Sequence, residues 1–138
     1  MQDKICLLID DDVDDHEIFI EALQDVKIHY QCVTAINGQE AITLLTKSGL
    51  VPDYIFLDLN MPIMSGKICL AEIKKITALQ DIPVIIYTTS SYSNDIEETQ
   101  RLGATHFLVK PSSIATLTRI LNDLFTQKQP SFLIKEAL

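Results

Sequence analysis

The sequence predicts an α/β protein in which five parallel strands alternate with five helices, a (βα)5 doubly wound sheet. Five short apolar runs are typical of buried strands, and the segment after each one carries apolar residues at helical spacing. No internal repeat, linker or second-domain boundary interrupts this alternation. Such an order implies a parallel sheet with helices on both faces, whose strand carboxyl ends all line one edge.

Length and composition limit the functional classes. The chain has 138 residues, 47% of them hydrophobic, which suits one globular domain. A net charge of −8 argues against a nucleic-acid surface or docking on anionic membranes, and no apolar run approaches the roughly 20 residues of a membrane span. Three cysteines without metal-binding spacing indicate buried thiols in a reducing compartment, so we expect a cytoplasmic protein.

The first strand, Ile5 to Ile9, ends in a dense acidic cluster. Five of the next six residues are aspartates, which repel one another unless a cation neutralises them. A hard divalent cation bound through oxygen is the obvious candidate. Asp12 and the two later acids also suit an exposed helix start, whereas Asp10 and Asp11 touch the strand end and suit it less well.

The same acids match the ligand spacing of an EF-hand loop only in part. That loop needs glycine at its sixth position, where this chain has Asp15, and a helix before it, where this chain has a strand pattern. We therefore do not expect an EF-hand.

The elements between the first strand and the centre of the chain follow in order. Apolar spacing predicts a helix over 13–26, a strand over 30–35 ended by Asn37-Gly38, and a helix over 39–45. Tyr54 to Leu57 is then a buried strand that stops abruptly at Asp58, and loop residues follow it. Asp58 is therefore presented at the carboxyl end of a strand.

The second half repeats this arrangement. The predicted elements are a helix over 67–76, a strand over 82–87, a helix over 94–102, a strand over 105–109 and a helix over 114–124. Thr88 follows the fourth strand and Lys110-Pro111 the fifth, so hydroxyl and ammonium groups reach the same edge as Asp58. The three histidines show no cluster and are interpreted as structural.

The tail from Gln127 to Leu138 is predicted to be separate. Pro130 should end the last helix, and the apolar residues 132–134 need a cover. Two alternatives stay open: the tail packs back on the domain, or it contacts a partner or a second copy.

Four strands thus deliver Asp10, Asp11, Asp58, Thr88 and Lys110 to one edge. Three carboxylates and one ammonium leave a net charge that one Mg²⁺ would neutralise. Asp58 is then a plausible carboxylate nucleophile for a phosphoryl group, and Thr88, Lys110 and the metal would share the charge on its oxygens.

These residues stand in motifs that resemble the response-regulator receiver domain of two-component signalling, of the single-domain, CheY-like kind. The motifs are L-L-I-D-D-D, F-L-D-L-N-M-P-x-M-S-G, I-I-Y-T-T and F-L-V-K-P, and the resemblance covers Lys4 to about Lys128. It implies strand order 2-1-3-4-5, a receiver domain over 1–128 and a tail over 129–138. It also implies a cis Lys110-Pro111 bond.

The resemblance further implies roles for these residues. Asp58 is the phospho-acceptor and a metal ligand, Asp10 and Asp11 form the acidic pair, and the backbone carbonyl of Asn60 completes the protein's share of the Mg²⁺ shell. Thr88 is the switch hydroxyl and Lys110 the phosphate partner.

By the same resemblance, a sensor histidine kinase or a histidine phosphotransfer protein supplies the phosphoryl group, and water later removes it. An aromatic residue on the fifth strand turns in behind the switch hydroxyl. That residue is Phe107 here, where many members have tyrosine, so it offers a partner no hydroxyl. The output surface comprises the fourth helix, the fifth strand and the fifth helix.

Because the chain ends at Leu138 without an output domain, we expect it to bind another protein, to form a phosphorylation-dependent dimer, or to pass the phosphoryl group on. Nucleic-acid and membrane partners are not expected.

The enzyme alternative is a haloacid-dehalogenase-like phosphatase, for which Asp10-x-Asp12 could mimic the nucleophile motif. No acidic pair follows Lys110 at a strand end, and there is no room for a cap domain. A flavodoxin-like binding module is disfavoured because no phosphate-cradling loop follows the first strand.

Overall fold

The computed structural model describes residues 4–128 and 131–136, which form one parallel sheet between two layers of helices. The strands are β1 Lys4–Ile9, β2 Tyr30–Ala35, β3 Tyr54–Leu57, β4 Val84–Thr88, β5 His106–Val109 and β6 Leu133–Ile134. The helices are α1 Val13–Gln24, α2 Gly38–Thr46, α3 Gly66–Lys74, α4 Ser93–Arg101 and α5 Ile114–Phe125, with a 3-10 turn at Thr77–Leu79.

The sheet order is β2-β1-β3-β4-β5-β6, and every neighbouring pair is parallel. The predicted α/β class and the order of the first five strands are therefore confirmed. One hydrophobic cluster lies between the sheet and the helices α2 and α3, and a second lies between the sheet and the helices α1 and α5. The fold is thus doubly wound, as its βα alternation required.

The central strands are apolar throughout because helices cover both of their faces. All residues from Cys6 to Ile9 and from Ile55 to Leu57 are fully buried. Such a strand has no polar side chain within the core. The first polar side chain therefore follows at the point where the strand leaves the core.

The helix boundaries differ slightly from the predicted ones. Helix α1 ends at Gln24 and α3 at Lys74, each two residues before the predicted end. Helix α5 already ends at Phe125, and the expected helix stop at Pro130 lies outside the described residues. The Lys110–Pro111 bond is trans, like all other peptide bonds of the described residues, so the expected cis geometry is wrong. Trans is the lower-energy isomer of an X–Pro bond.

A sixth strand corrects the five-strand expectation. Leu133 and Ile134 pair with β5, and the backbone N–H of Phe107 donates to the carbonyl of Phe132 at 2.8 Å. The Glu136 carboxylate accepts from the backbone N–H and the hydroxyl of Ser112 at 3.1 and 3.0 Å. Residues 131–136 therefore pack back on the domain, the first of the two alternatives for the tail, because an apolar segment gains by covering an open sheet edge.

No helix among the described residues has both the length and the apolar character that crossing a membrane requires.

Candidate functional site

Side chains from four elements meet at the carboxyl edge of the sheet. Asp10 follows β1, Asp58 follows β3, Thr88 ends β4, and Lys110 follows β5. Their backbone still takes part in the sheet: the N–H of Asp58 donates to Ile9 at 2.9 Å, and the N–H of Lys110 donates to Thr88 at 2.8 Å. The strands therefore hold these side chains in fixed positions.

Three carboxylates form an acidic cluster that could hold a cation. One oxygen each of Asp10, Asp11 and Asp58 lies within 4.8 Å of the others. Asp10 and Asp58 are buried, whereas Asp11 is exposed at the mouth of the site. Two fixed inner carboxylates and one accessible outer carboxylate suit a small hard cation that keeps part of its water shell.

The Lys110 ammonium lies among carboxylates on three sides. Its Nζ is 2.8 Å from Asp10, 2.7 Å from Asp15 and 3.7 Å from Asp58, and its side chain is only 10% exposed. Burial disfavours the charged form, but the ion pairs outweigh it, so the pKa of Lys110 is raised above its usual range. The ring of Tyr87 lies beneath this cation, with Nζ 5.2 Å from the ring centroid.

Burial makes the Asp10 carboxylate costly to ionise despite its contact with Lys110. Burial raises the pKa of its carboxyl above the ordinary value, the hydrogen bond from Lys110 opposes that rise, and the nearby charge of Asp58 adds to it. A carboxylate that is costly to ionise in this position would be stabilised by a further cation.

Thr88 carries an unpartnered polar atom. It is fully buried, and its Oγ1 has no hydrogen-bond partner within the chain segments that the structure describes. Buried hydroxyl groups in folded proteins are nearly always paired. This one ends the strand next to β3 and its Asp58, so it suits an acceptor that would enter the site from outside the chain.

The loop after β3 is held against the backbone of Asp58 by a glycine. A Cβ on Gly66 would lie 2.2 Å from the carbonyl oxygen of Asp58 and 2.5 Å from the Cα of Leu59. Both contacts are with backbone atoms, which cannot swing aside. Only glycine lets α3 begin so close to the backbone of Asp58.

Asn60 lies two residues beyond Asp58 and is exposed. Its backbone N–H points to Oδ1 of Asp58 over 3.4 Å. The proposed metal contact uses its carbonyl oxygen instead, and that role stays a prediction.

Phe107 is fully buried in the sheet face that packs against α2 and α3. Its strand lies between β4, which carries Thr88, and β6. Phe132 and Leu133 pack against the same cluster, so the added strand lies beside the aromatic residue for which a switch role was predicted.

A polar bridge ties the β4–α4 loop to α3. The Ser90 hydroxyl donates to Asp95 at 2.6 Å, and the Lys67 ammonium contacts Asp95 at 2.8 Å and Glu98 at 2.9 Å. The hydrogen bond from Lys67, followed by that from Ser90, holds the pKa of Asp95 below its usual range. The loop that follows Thr88 is thereby connected to α3, which begins against the backbone of Asp58.

We predicted from the sequence that one edge of the sheet carries Asp10, Asp11, Asp58, Thr88 and Lys110, and the structure places them there. It missed the Asp15–Lys110 contact, since Asp15 was assigned to an exposed helix start. The sequence did indicate that α1 begins three residues after Asp10, which places the first turn of α1 over the strand ends. The bridge around Lys67 had no sequence signal, because it depends on how α3 and α4 pack.

Comparison with known proteins agrees with this geometry. The family model described as "Response regulator receiver domain" matches residues 6–122. The response regulator Rcp1 of Synechocystis sp. is 32% identical over 131 residues, which cover 91% of this chain and 84% of Rcp1. A protein-glutamate methylesterase/protein-glutamine glutaminase of Methanococcoides burtonii is 36% identical over 121 residues, but the chain spans only a third of its length.

Solved structures give the same result. The crystal structure of the phosphorylated cyanobacterial phytochrome response regulator RcpA has a TM-score of 0.82 at 29% identity, covering 94% of this chain and 100% of RcpA. The Mn²⁺-bound form of Rcp1 has a TM-score of 0.79 at 27% identity, covering 94% and 98%. Fold and site thus define a doubly wound signalling protein with an acidic strand-end pocket.

The chain belongs to the response regulator receiver domain family.

Proposed function

We propose that this protein accepts a phosphoryl group on Asp58 with Mg²⁺ and transmits the change to a protein partner. One observation carries the proposal: a buried, unpartnered Thr88 hydroxyl stands at the same edge as a three-carboxylate cluster and a buried ammonium. A carboxylate acceptor, a metal site, a hydroxyl donor and a cation are the groups that phosphoryl transfer to aspartate requires.

The residues present fit the implied metal. Asp10, Asp11 and Asp58, with the backbone carbonyl of Asn60, would hold Mg²⁺, as their clustered oxygens allow. Bound there, the ion supplies positive charge to the phosphoryl oxygens. The Mn²⁺-bound form of the relative Rcp1 supports a divalent cation in this kind of pocket.

The chain's own residues account for the remaining chemistry. An Asp58 carboxylate oxygen attacks phosphorus, the P–N bond of a phosphohistidine breaks, and the imidazole leaves. Lys110, 3.7 Å from Asp58, would donate to a phosphoryl oxygen. Water later attacks phosphorus, and the carboxylate leaves with the electron pair of the P–O bond, which resets the protein.

Thr88 would convert this chemistry into a change of shape. Its hydroxyl gains a partner when a phosphoryl oxygen arrives, which draws the end of β4 toward Asp58. Phe107 on the neighbouring strand would follow into the vacated space. The affected surface is formed by α4, β5 and α5, and its partner would be a downstream protein or a second copy of the chain.

The donor that we propose is a sensor histidine kinase or a histidine phosphotransfer protein. Membership of the receiver family supports this class, and the family match gives no support to the phosphatase alternative. We place the receiver domain in 1–128 and treat 129–138 as its tail. A cytoplasmic location rests on three free cysteines, which suit a reducing compartment.

The test is phosphorylation by acetyl phosphate with Mg²⁺, read by intact mass. Wild type should gain one phosphoryl group, and Asp58→Asn should gain none because the amide is not a nucleophile. Asp81→Asn is the matched control, since Asp81 is exposed and lies before β4, at the opposite edge of the sheet. If Asp58→Asn still becomes labelled while Asp10→Asn does not, the phosphatase alternative gains and this proposal fails.

A further inference from the structure

The shortest ion-pair distance of Lys110 is to Asp15, a residue outside the predicted site. The distance from Nζ to Asp15 Oδ2 is 2.7 Å, a full ångström shorter than the 3.7 Å to Asp58. Asp15 belongs to the first turn of α1 and contributes no atom to the three-carboxylate cluster. In this structure the cation therefore lies closer to α1 than to the acceptor.

The ammonium has three N–H groups, and two of them already have acceptors. One donates to Asp10 at 2.8 Å and one to Asp15 at 2.7 Å. Both are charge-assisted hydrogen bonds in a half-buried site, which makes them short and directional. The third has no acceptor among the described residues, but Nζ lies 3.7 Å from Asp58, so movement of the ammonium toward a phosphoryl group on Asp58 would lengthen or break one of these two contacts.

The two partners differ in how easily they can be released. The Asp10 side chain is 0% exposed, so without Lys110 its charge would remain buried and unpaired. The Asp15 side chain is 24% exposed and can turn to water at much lower cost. Asp15 is thus the partner that Lys110 can exchange for a phosphoryl oxygen.

We propose that Asp15 is a positioning residue that restrains Lys110 in the unphosphorylated protein and releases it to the phosphoryl group. The proposal rests on the function proposed above and adds a residue to which no role was assigned. Asp15 should also oppose phosphorylation of Asp58 in a second way. It is the third carboxylate around the Lys110 ammonium, beside Asp10 and Asp58, so it repels the incoming anionic donor. Removal of its charge should therefore favour phosphorylation of Asp58.

The experiment measures the acetyl phosphate concentration at which half of the protein is labelled, at fixed Mg²⁺ and low salt. Asp15→Asn and Asp15→Ala should lower that concentration by about threefold to tenfold, and the difference should shrink at high salt. Asp15→Glu keeps the charge and should remain close to wild type. Thermal unfolding of each variant shows whether it is folded.

Asp14→Asn is the matched control. Asp14 also lies in the first turn of α1 and is exposed, so its removal changes the same charge at the same helix terminus. It should leave the half-labelling concentration unchanged. In metal-free protein labelled with 15N-lysine, the Lys110 ammonium signal should move in Asp15→Asn and stay in place in Asp14→Asn.

The outcomes separate this inference from the proposed function. If wild type takes no label on Asp58, the proposed function fails whatever Asp15 does. If wild type is labelled but Asp15→Asn needs as much acetyl phosphate or more, the restraint is refuted alone. An equal shift in Asp14→Asn also refutes it, because the effect would then be one of general charge.

Discussion

Thr88 and Thr99 are both fully buried, but their hydroxyl groups differ in hydrogen bonding within the described residues. The hydroxyl of Thr88 is fully buried without a partner, while the hydroxyl of Thr99, equally buried, donates to the carbonyls of Asp95 and Ile96 at 2.8 and 3.2 Å. An unpaired buried hydroxyl costs free energy that a paired one does not. Within the folded, unphosphorylated protein, Thr88 is therefore poorly satisfied.

A prediction at this scale compares the two threonines. Thr88→Val should leave the free energy of unfolding unchanged or raise it by up to about 1 kcal/mol, because no hydrogen bond is lost. Thr99→Val should lower it by about 1 kcal/mol, because its hydrogen bonds are lost. Urea denaturation measures both. A clear loss of stability in Thr88→Val would show that its hydroxyl is already paired, and would remove the observation on which the proposed switch depends.

At the scale of the element, the loop between β3 and α3 is positioned by backbone contact more than by side chains. Gly66 starts α3 directly against the carbonyl of Asp58, and Met64 N–H donates to Pro62 across Ile63, whose φ is 71°. The left-handed region is uncommon for a β-branched residue. The loop has this conformation at Ile63, whose side chain is 84% exposed, and the close approach of Gly66 constrains it at Asp58.

The Gly66→Ala variant tests this account. Its Cβ has no room against the Asp58 backbone, so we expect a loss of about 1–3 kcal/mol in the free energy of unfolding and weaker labelling by acetyl phosphate. Gly49→Ala is the control: Gly49 has a positive φ of 67° and open space around it, whereas Gly66 has no positive φ and lies against the Asp58 backbone. That variant should lose only about 1 kcal/mol or less and keep normal labelling. A loss of stability in Gly66→Ala no larger than that in Gly49→Ala would contradict the importance of the close approach.

The bridge centred on Lys67 gives a second link at the element scale. Lys67 joins α3 to two acids of α4, whereas Lys75, one residue past the end of α3, contacts Glu72 of that same helix. The contacts of Lys67 therefore relate the positions of two helices, and the Lys75–Glu72 pair does not. Movement of the β4–α4 loop on phosphorylation would therefore act on α3 as well.

At the scale of the whole molecule, β6 changes what the sheet exposes. Without residues 131–136, β5 would be an edge strand with open N–H and carbonyl groups beside partly buried Val109. Residues 133–134 cover that edge as a parallel strand. The Glu136 carboxylate accepts a hydrogen bond from the Ser112 hydroxyl near the start of α5.

Truncation after Lys128 is the corresponding prediction. The shortened protein should unfold at lower urea concentration because Ile134, 5% exposed in the full chain, no longer covers the core. It should also associate at high concentration, because an apolar edge strand pairs with copies of itself. Sedimentation or size-exclusion chromatography measures the association. The single change Glu136→Gln, which keeps the strand, should remain monomeric to the same extent as the full chain. An unaltered urea midpoint in the truncated protein would contradict the covering role.

The sequence predicted best those features that depend on residues close together in the chain. Unbroken apolar runs predicted the five main strands, and the polar residue after each predicted which side chains share an edge. The two-residue strand β6 could not be predicted, because a segment that short has no periodicity and pairs with a strand more than twenty residues away. The Asp15–Lys110 contact depends on the rotation of α1 relative to β5, which no sequence pattern reports.

Tyr87 lies beneath the Lys110 ammonium, and the chain contains no tryptophan among its 138 residues. Tyr30 and Tyr54 pack against Phe125 away from the site, and Tyr92 is exposed on the loop before α4. Near-ultraviolet absorption and emission of the native protein thus come from few chromophores, and Tyr87 alone contacts the cation that the phosphoryl group would attract. Displacement of Lys110 should therefore change the tyrosine fluorescence of the native protein, so that it can be followed without attaching a dye.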